Sequence, residues 1–162
     1  RDEKEFIDAA KSGNLKAVSF VKPLGEENEH PGYASETAGS NHLVDLIKAI
    51  ENGPDGKSTM IIVTYDEFGG QWDHVSPPMG SKATKSGVAD QWGPGTRIPA
   101  LVISKQLPED YAVDHVSHDT TSILATIEHK FHLAPLTSRD ASVADLSSVF
   151  HARAVDDGGR KH

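Results

Sequence analysis

Apolar positions recur along this chain with two different periods. Over residues 2–12, Phe6, Ile7 and Ala10 share one side and acidic residues fill the first turn, which predicts a helix closed by Gly13-Asn14. Residues 15–21 read as a strand stopped by Pro23, and residues 24–39, rich in Gly, Pro and acidic side chains, as a loop. Leu43, Leu46, Ile47 and Ile50 then follow the i, i+3, i+4, i+7 rule of a buried helical stripe. Ser40 offers a cap for that helix, and Asn52-Gly-Pro-Asp-Gly56 ends it. Met60 to Val63 shows no polar alternation, the pattern of a strand buried on both faces. A second strand is predicted over 98–103. Beyond it lie a helix over 117–132, with Ile123, Leu124, Ile127 and Phe131 inward, and a short helix over 142–150. Ser117, Asp119 or Thr120 can cap the longer helix. This alternation of helices and strands predicts an α/β fold, a mostly parallel sheet flanked by helices, in one domain over 1–150 with a polar tail over 151–162.

Composition narrows the function classes. The 162 residues suffice for a hydrophobic core, and 25% charged against 36% apolar residues reads as a soluble globular chain. A formal charge of −8 argues against a general nucleic-acid or anionic-membrane binder, whose phosphate partners need a basic face. It leaves a phosphorylated substrate open, because a bound cation supplies positive charge locally. With no cysteine, disulfides and thiolate zinc sites are excluded. No apolar run approaches the roughly twenty residues of a membrane span.

The chemistry gathers after residues 60–63. Asp66 and Glu67 lie where that strand ends, Gly69-Gly70 permits a sharp turn, and Asp73-His74 follows. Two hard oxygen donors beside an imidazole make a plausible divalent-metal corner, and the same residues also suit a solvated loop. Arg97 ends a long loop over 76–94, bracketed by Trp72 and Trp92, that is expected to line the substrate side. Its guanidinium either grips a phosphate through paired donors or pins the loop in a salt bridge. His30 lies in the acidic 24–39 loop, and His115 precedes the 117–132 helix. His42 reads as a surface or core-edge residue, and no claim attaches to His118, His129 or His132.

The segment Ile62-Val-Thr-Tyr-Asp-Glu-Phe-Gly-Gly-Gln-Trp-Asp-His-Val-Ser-Pro-Pro78 resembles the signature of the bacterial phosphoesterase family. Ala17-Val-Ser-Phe-Val-Lys-Pro23 with Glu29-His-Pro31, Arg97-Ile-Pro-Ala-Leu-Val-Ile-Ser104 and Asp114-His-Val-Ser-His-Asp-Thr-Thr-Ser-Ile-Leu124 fit the same family in order. That family holds phospholipases C of the non-haemolytic type and related acid phosphatases. The resemblance implies an alkaline-phosphatase-like fold and metal-dependent hydrolysis of phosphate esters, phospholipids among them. It assigns Asp66 and Glu67 to a divalent metal of open identity, with Asp73 and His74 as ligands or as orienters of ligands. His30 and His115 become catalytic, and Arg97 substrate-binding.

The resemblance further implies a bacterial cell-envelope or secreted location. It places the hydroxyl nucleophile in an N-terminal half that precedes Arg1, so the chain is expected to be incomplete alone. Apolar surface on its strands is then expected to meet that half or another chain. Two departures stand out: Phe68 occupies a usual histidine position, and His118 a usual aromatic one. An inactive relative that binds a metal or phospho-ligand, or a structural protein on the same fold, are the alternatives.

Overall fold

The computed structural model describes residues 2–78, 94–108 and 111–154, which divide between two compact units, 1–63 with 100–106 and 64–99 with 107–162. The expected features over 79–93, including Trp92, and the tail over 156–162 lie outside the described residues.

In the first unit, α1 (Glu3–Ser12) packs on α2 (Glu36–Glu51). Asp2 caps α1 by accepting the Lys4 N–H at 3.0 Å, and Gly13, at φ 71°, closes it in the left-handed conformation that glycine adopts without a Cβ penalty. The cap of α2 is Ser35, whose Oγ accepts the Ala38 N–H at 3.2 Å. The Ser40 hydroxyl donates instead to Glu29 Oε1, so the helix begins a turn earlier than its apolar stripe suggests. Ala10, Leu46 and Ile50 form the buried centre, two of them from that stripe. Residues 15–21 are no strand. The Leu15 N–H is tied to Asp55 Oδ2 at 3.2 Å, and the following side chains run exposed, Phe20 by 78%.

Strand β1 (Ile61–Thr64) pairs with β2 (Ala100–Ile103). The residues of β1 from Ile61 to Val63 are half-buried, not enclosed on both faces, and Leu101 of β2 is 50% exposed. The expected multistranded parallel sheet is therefore not formed among the described residues, which hold two two-stranded sheets. The physical reason is the shortage of ladder partners: residues 15–21 supply no third strand, so the apolar run of β1 gains cover on part of its surface only.

In the second unit, β3 (Ala112–Val113) pairs antiparallel with β4 (Arg153–Ala154), Ala112 opposite Ala154 and Val113 opposite Arg153. Helix α3 (Thr121–Phe131) packs on a 3₁₀ helix (Leu146–His151), which overlaps the short helix expected over 142–150. The residue that caps α3, Thr120, makes no side-chain cap bond; Asp119 Oδ1, one position earlier, accepts the Thr121 N–H at 2.7 Å. The most buried stripe of α3 is Ser122, Ala125 and Glu128; Ile123, Leu124 and Ile127 flank it half-buried and Phe131 is exposed. Polar groups reach this core because they are bonded there. The Leu136 N–H donates to Glu128 Oε1 at 3.2 Å and to Asp140 Oδ2 at 2.7 Å, and Asp140 also receives the Thr137 N–H and hydroxyl.

The Thr137 hydroxyl, helped by these backbone donors, holds the Asp140 carboxyl down to about 2, below its ordinary 3.8. A depressed carboxylate stabilises the fold above its unfolded value and loses that contribution as pH falls. Urea midpoints should therefore drop between about pH 4 and pH 2, and Asp140→Asn should flatten that limb while lowering the midpoint at neutral pH. An unchanged acid limb in Asp140→Asn would assign it to other groups.

Candidate functional site

The seven residues singled out above divide between the units: His30 belongs to the first, and Asp66, Glu67, Asp73, His74, Arg97 and His115 to the second.

His30 sits on the loop before α2. The Asn28 side chain accepts its backbone N–H at 2.9 Å, and its ring stacks on Tyr33 with centroids 4.4 Å apart. Nδ1 lies 2.8 Å from the Pro31 carbonyl oxygen. A carbonyl only accepts, so Nδ1 carries the proton and Nε2 is the basic nitrogen of the neutral ring. The loop thus presents an exposed imidazole with its tautomer and ring plane set. Glu29, at φ 60°, takes the left-handed backbone that swings the chain into this turn.

In the second unit, Asp73 is the hub of the glycine-rich loop. Its Oδ2 accepts Arg97 Nε at 2.8 Å and its Oδ1 accepts Arg97 Nη2 at 2.9 Å, while Oδ1 also takes the Val75 N–H at 3.1 Å. His74 Nδ1 stands 3.6 Å from the same oxygen. The Arg97 guanidinium beside Asp73 holds its carboxyl well below the usual carboxylate range, and Asp73 in turn raises Arg97. Of the two readings of Arg97, the salt bridge that pins the loop is the one formed. Asp66 and Glu67 follow β1 in exposed positions, and Glu67 Oε2 accepts the Gly69 N–H at 2.7 Å across the turn. Trp72 is 85% exposed on the same loop.

The fit to a metal can be judged from these bonds. Among the described residues, no group of three or more imidazoles and carboxylates converges as a metal centre would require. Asp73, expected as a ligand or an orienter of ligands, has both oxygens engaged by Arg97. Asp66 and Glu67 retain the donor chemistry for a hard cation as a pair.

His115 is exposed, between Asp114 and Val116 at the entry to α3. Its neighbours hold a constellation that sequence reasoning passed over. Asp114 Oδ1 accepts the Val116 N–H at 2.9 Å; Asp114 Oδ2 accepts the Ser148 hydroxyl at 2.5 Å and lies 3.1 Å from His118 Nε2. His118 Nε2 is 3.2 Å from Ser148 Oγ, and its Nδ1 is 3.3 Å from the Ala144 carbonyl. Burial works to raise the Asp114 carboxyl, but the Ser148, Val116 and His118 bonds outweigh it and leave it below its ordinary value. The signal available in the sequence was the i, i+4 spacing of Asp114 and His118; Ser148, thirty-four positions from Asp114, gave none.

The sequence profile of the phosphoesterase family matches residues 1–134. This chain belongs to that family. It is 32% identical to phospholipase C B of Mycobacterium tuberculosis, over 93% of this chain and 32% of that protein. It is 29% identical to a non-hemolytic phospholipase C of Burkholderia pseudomallei (90% of this chain, 24% of that one). A non-specific phospholipase C of Arabidopsis thaliana is also 29% identical, over 88% of this chain and 31% of its own. The chain thus spans at most about a third of the length of these relatives. The family motif over residues 62–78 and both candidate histidines fall inside the matched region.

Proposed function

We propose that this chain supplies part of the catalytic apparatus of a phosphate-ester hydrolase of the phospholipase C or acid phosphatase type. The observation that carries the reading is the family match over residues 1–134, which includes the Asp66-Glu67 pair at the end of β1. Phosphate esters resist attack because their anionic oxygens repel a nucleophile, so a hydrolase must neutralise charge and manage protons. Arg97 has Nε and Nη2 taken by Asp73, which fixes the plane of the guanidinium and leaves Nη1 to meet a phosphoryl oxygen. His30 takes or gives a proton at Nε2, and His115 stabilises developing charge. Asp66 and Glu67 are the pair proposed to bind a divalent cation, which when bound would neutralise phosphoryl charge. Asp73 and His74 act outside that pair, as anchors of its loop.

The hydroxyl nucleophile is proposed to come from a segment other than these residues. The half-exposed Leu101 and the exposed Phe20 are apolar surface that such a segment, or another chain, would cover. Among the described residues no helix is long and apolar enough to cross a membrane. Kinship with bacterial phospholipases extends the proposal to the cell envelope or the secreted space.

The test is hydrolysis of p-nitrophenyl phosphate and bis(p-nitrophenyl) phosphate with and without chelator, by protein that joins these residues to the segment supplying the hydroxyl, in the wild type and in Asp66→Asn with Glu67→Gln. Hydrolysis that the chelator stops, a divalent ion restores and the double variant lacks is the expected outcome. Full activity in that variant would overturn the role of the pair. The absence of a converging donor set among the described residues favours one second reading, a relative that binds a phosphorylated ligand without turnover. Saturable binding of inorganic phosphate without hydrolysis of either ester would select it.

A further inference from the structure

Asp114, His118 and Ser148 resemble a nucleophilic triad in composition, and their geometry rules that role out. In a relay, carboxylate and hydroxyl occupy opposite ring nitrogens, so that one orients the base while the other gives up its proton. Here both stand at the same nitrogen, Nε2, at 3.1 Å and 3.2 Å, and the Ser148 proton goes directly to Asp114. The other nitrogen faces the carbonyl of Ala144. Ser148 is held as a donor, with its proton turned away from the imidazole that would activate it.

What the cluster does follow from is its position. Asp114 lies one residue past the β3/β4 ladder, and Ser148 lies in the 3₁₀ helix that leads into β4, so the ladder brings the two together. Asp114 Oδ1 closes a turn onto the Val116 N–H, and the one residue inside that turn is His115. Oδ2 is gripped from the far side by Ser148 and from the entry to α3 by His118. The three side chains are part-buried, whereas His115 is exposed. The backbone that carries His115 is therefore fixed from its own turn, from α3 and from the 3₁₀ helix.

We infer that Asp114, His118 and Ser148 form a positioning device that fixes the backbone from which the His115 imidazole projects. They act through His115 and touch no substrate. The inference rests on the catalytic assignment of His115 proposed above, and it adds residues that this assignment does not contain. Proton transfer and charge stabilisation depend on sub-ångström placement, and a misplacement of about 1 Å can lower turnover on the order of 10²-fold.

The experiment compares Ser148→Ala, Ser148→Thr and His118→Phe in the wild-type and His115→Ala backgrounds of the protein. Turnover of bis(p-nitrophenyl) phosphate should fall about tenfold in Ser148→Ala and His118→Phe with KM nearly unchanged, as expected for a displaced catalytic group. Ser148→Thr, which keeps the hydroxyl, should restore it. In the His115→Ala background the same changes should have little further effect. Equal losses in both backgrounds would overturn the device and leave a general structural role.

A second readout does not depend on activity. In histidine-labelled protein, the His115 ring resonance should move or broaden in Ser148→Ala while the thermal midpoint stays near the wild type. An unmoved His115 resonance would overturn the inference. If the wild type joined to the segment that supplies the hydroxyl hydrolyses neither ester, the hydrolase reading fails, and the resonance still decides whether the cluster positions His115.

Discussion

Gly53→Ala should destabilise the first unit by about 3 kcal/mol in urea denaturation, the upper end of what one added methyl does in a packed interior. A Cβ built on Gly53 would stand 2.1 Å from the carbonyl oxygen of Ala10 and 3.2 Å from that of Ala49. Both obstacles are backbone, so no side chain can rotate away. Ala10 is fully buried where α1 meets α2, and relieving the clash means moving α1 off its seat. A loss of this size is a large fraction of the roughly 5–15 kcal/mol that holds a typical domain together. Gly95→Ala is the control: a Cβ there meets nothing within 4 Å, and its midpoint should stay within about 0.5 kcal/mol of the wild type. Similar midpoints for the two variants would mean that the turn after α2 does not approach α1 as described.

His30→Ala should lower phosphate-ester turnover by about 10²-fold or more, the usual scale for loss of a placed general acid or base. The Pro31 carbonyl fixes the proton on Nδ1, and the Tyr33 ring fixes the plane, so the free energy of orienting the base is spent in folding and not at each turnover. Tyr33→Leu removes the stack and the hydroxyl that receives the Asn28 side-chain donor at 3.1 Å, yet keeps the imidazole. It should fall between wild type and His30→Ala in turnover. If His30→Ala hydrolyses both nitrophenyl esters at the wild-type rate, the imidazole has no part in proton transfer.

Local rules carried much of the fold. Gly13 ended α1, the Leu46 and Ile50 stripe set the buried side of α2, and the apolar runs gave β1 and β2. The failures share a cause: each needed a partner distant in sequence. Residues 15–21 have strand composition, but a strand exists only where another backbone completes its hydrogen bonds, and Asp55 takes the Leu15 N–H instead. Ser35 in place of Ser40 caps α2, and Ser40 turns to Glu29, a choice made by a loop that no periodicity describes. At the site, the Asp-Glu and Asp-His pairs were readable as chemistry, whereas the bond of Asp73 to Arg97 was one of two open readings. Asp73 stood as a ligand or an orienter of ligands, and its paired bonds depend on a guanidinium twenty-four positions away that no local spacing reveals. His118 looked idle because its partner Ser148 lies thirty positions away in the 3₁₀ helix.

The Asp73–Arg97 bridge also bears on how chains of this kind can diverge. It ties two points twenty-four positions apart in the chain. The entropy of closing such a loop grows only with the logarithm of its length, about 0.6 kcal/mol for each doubling. The bridge keeps that separation only while the aspartate and the arginine persist together.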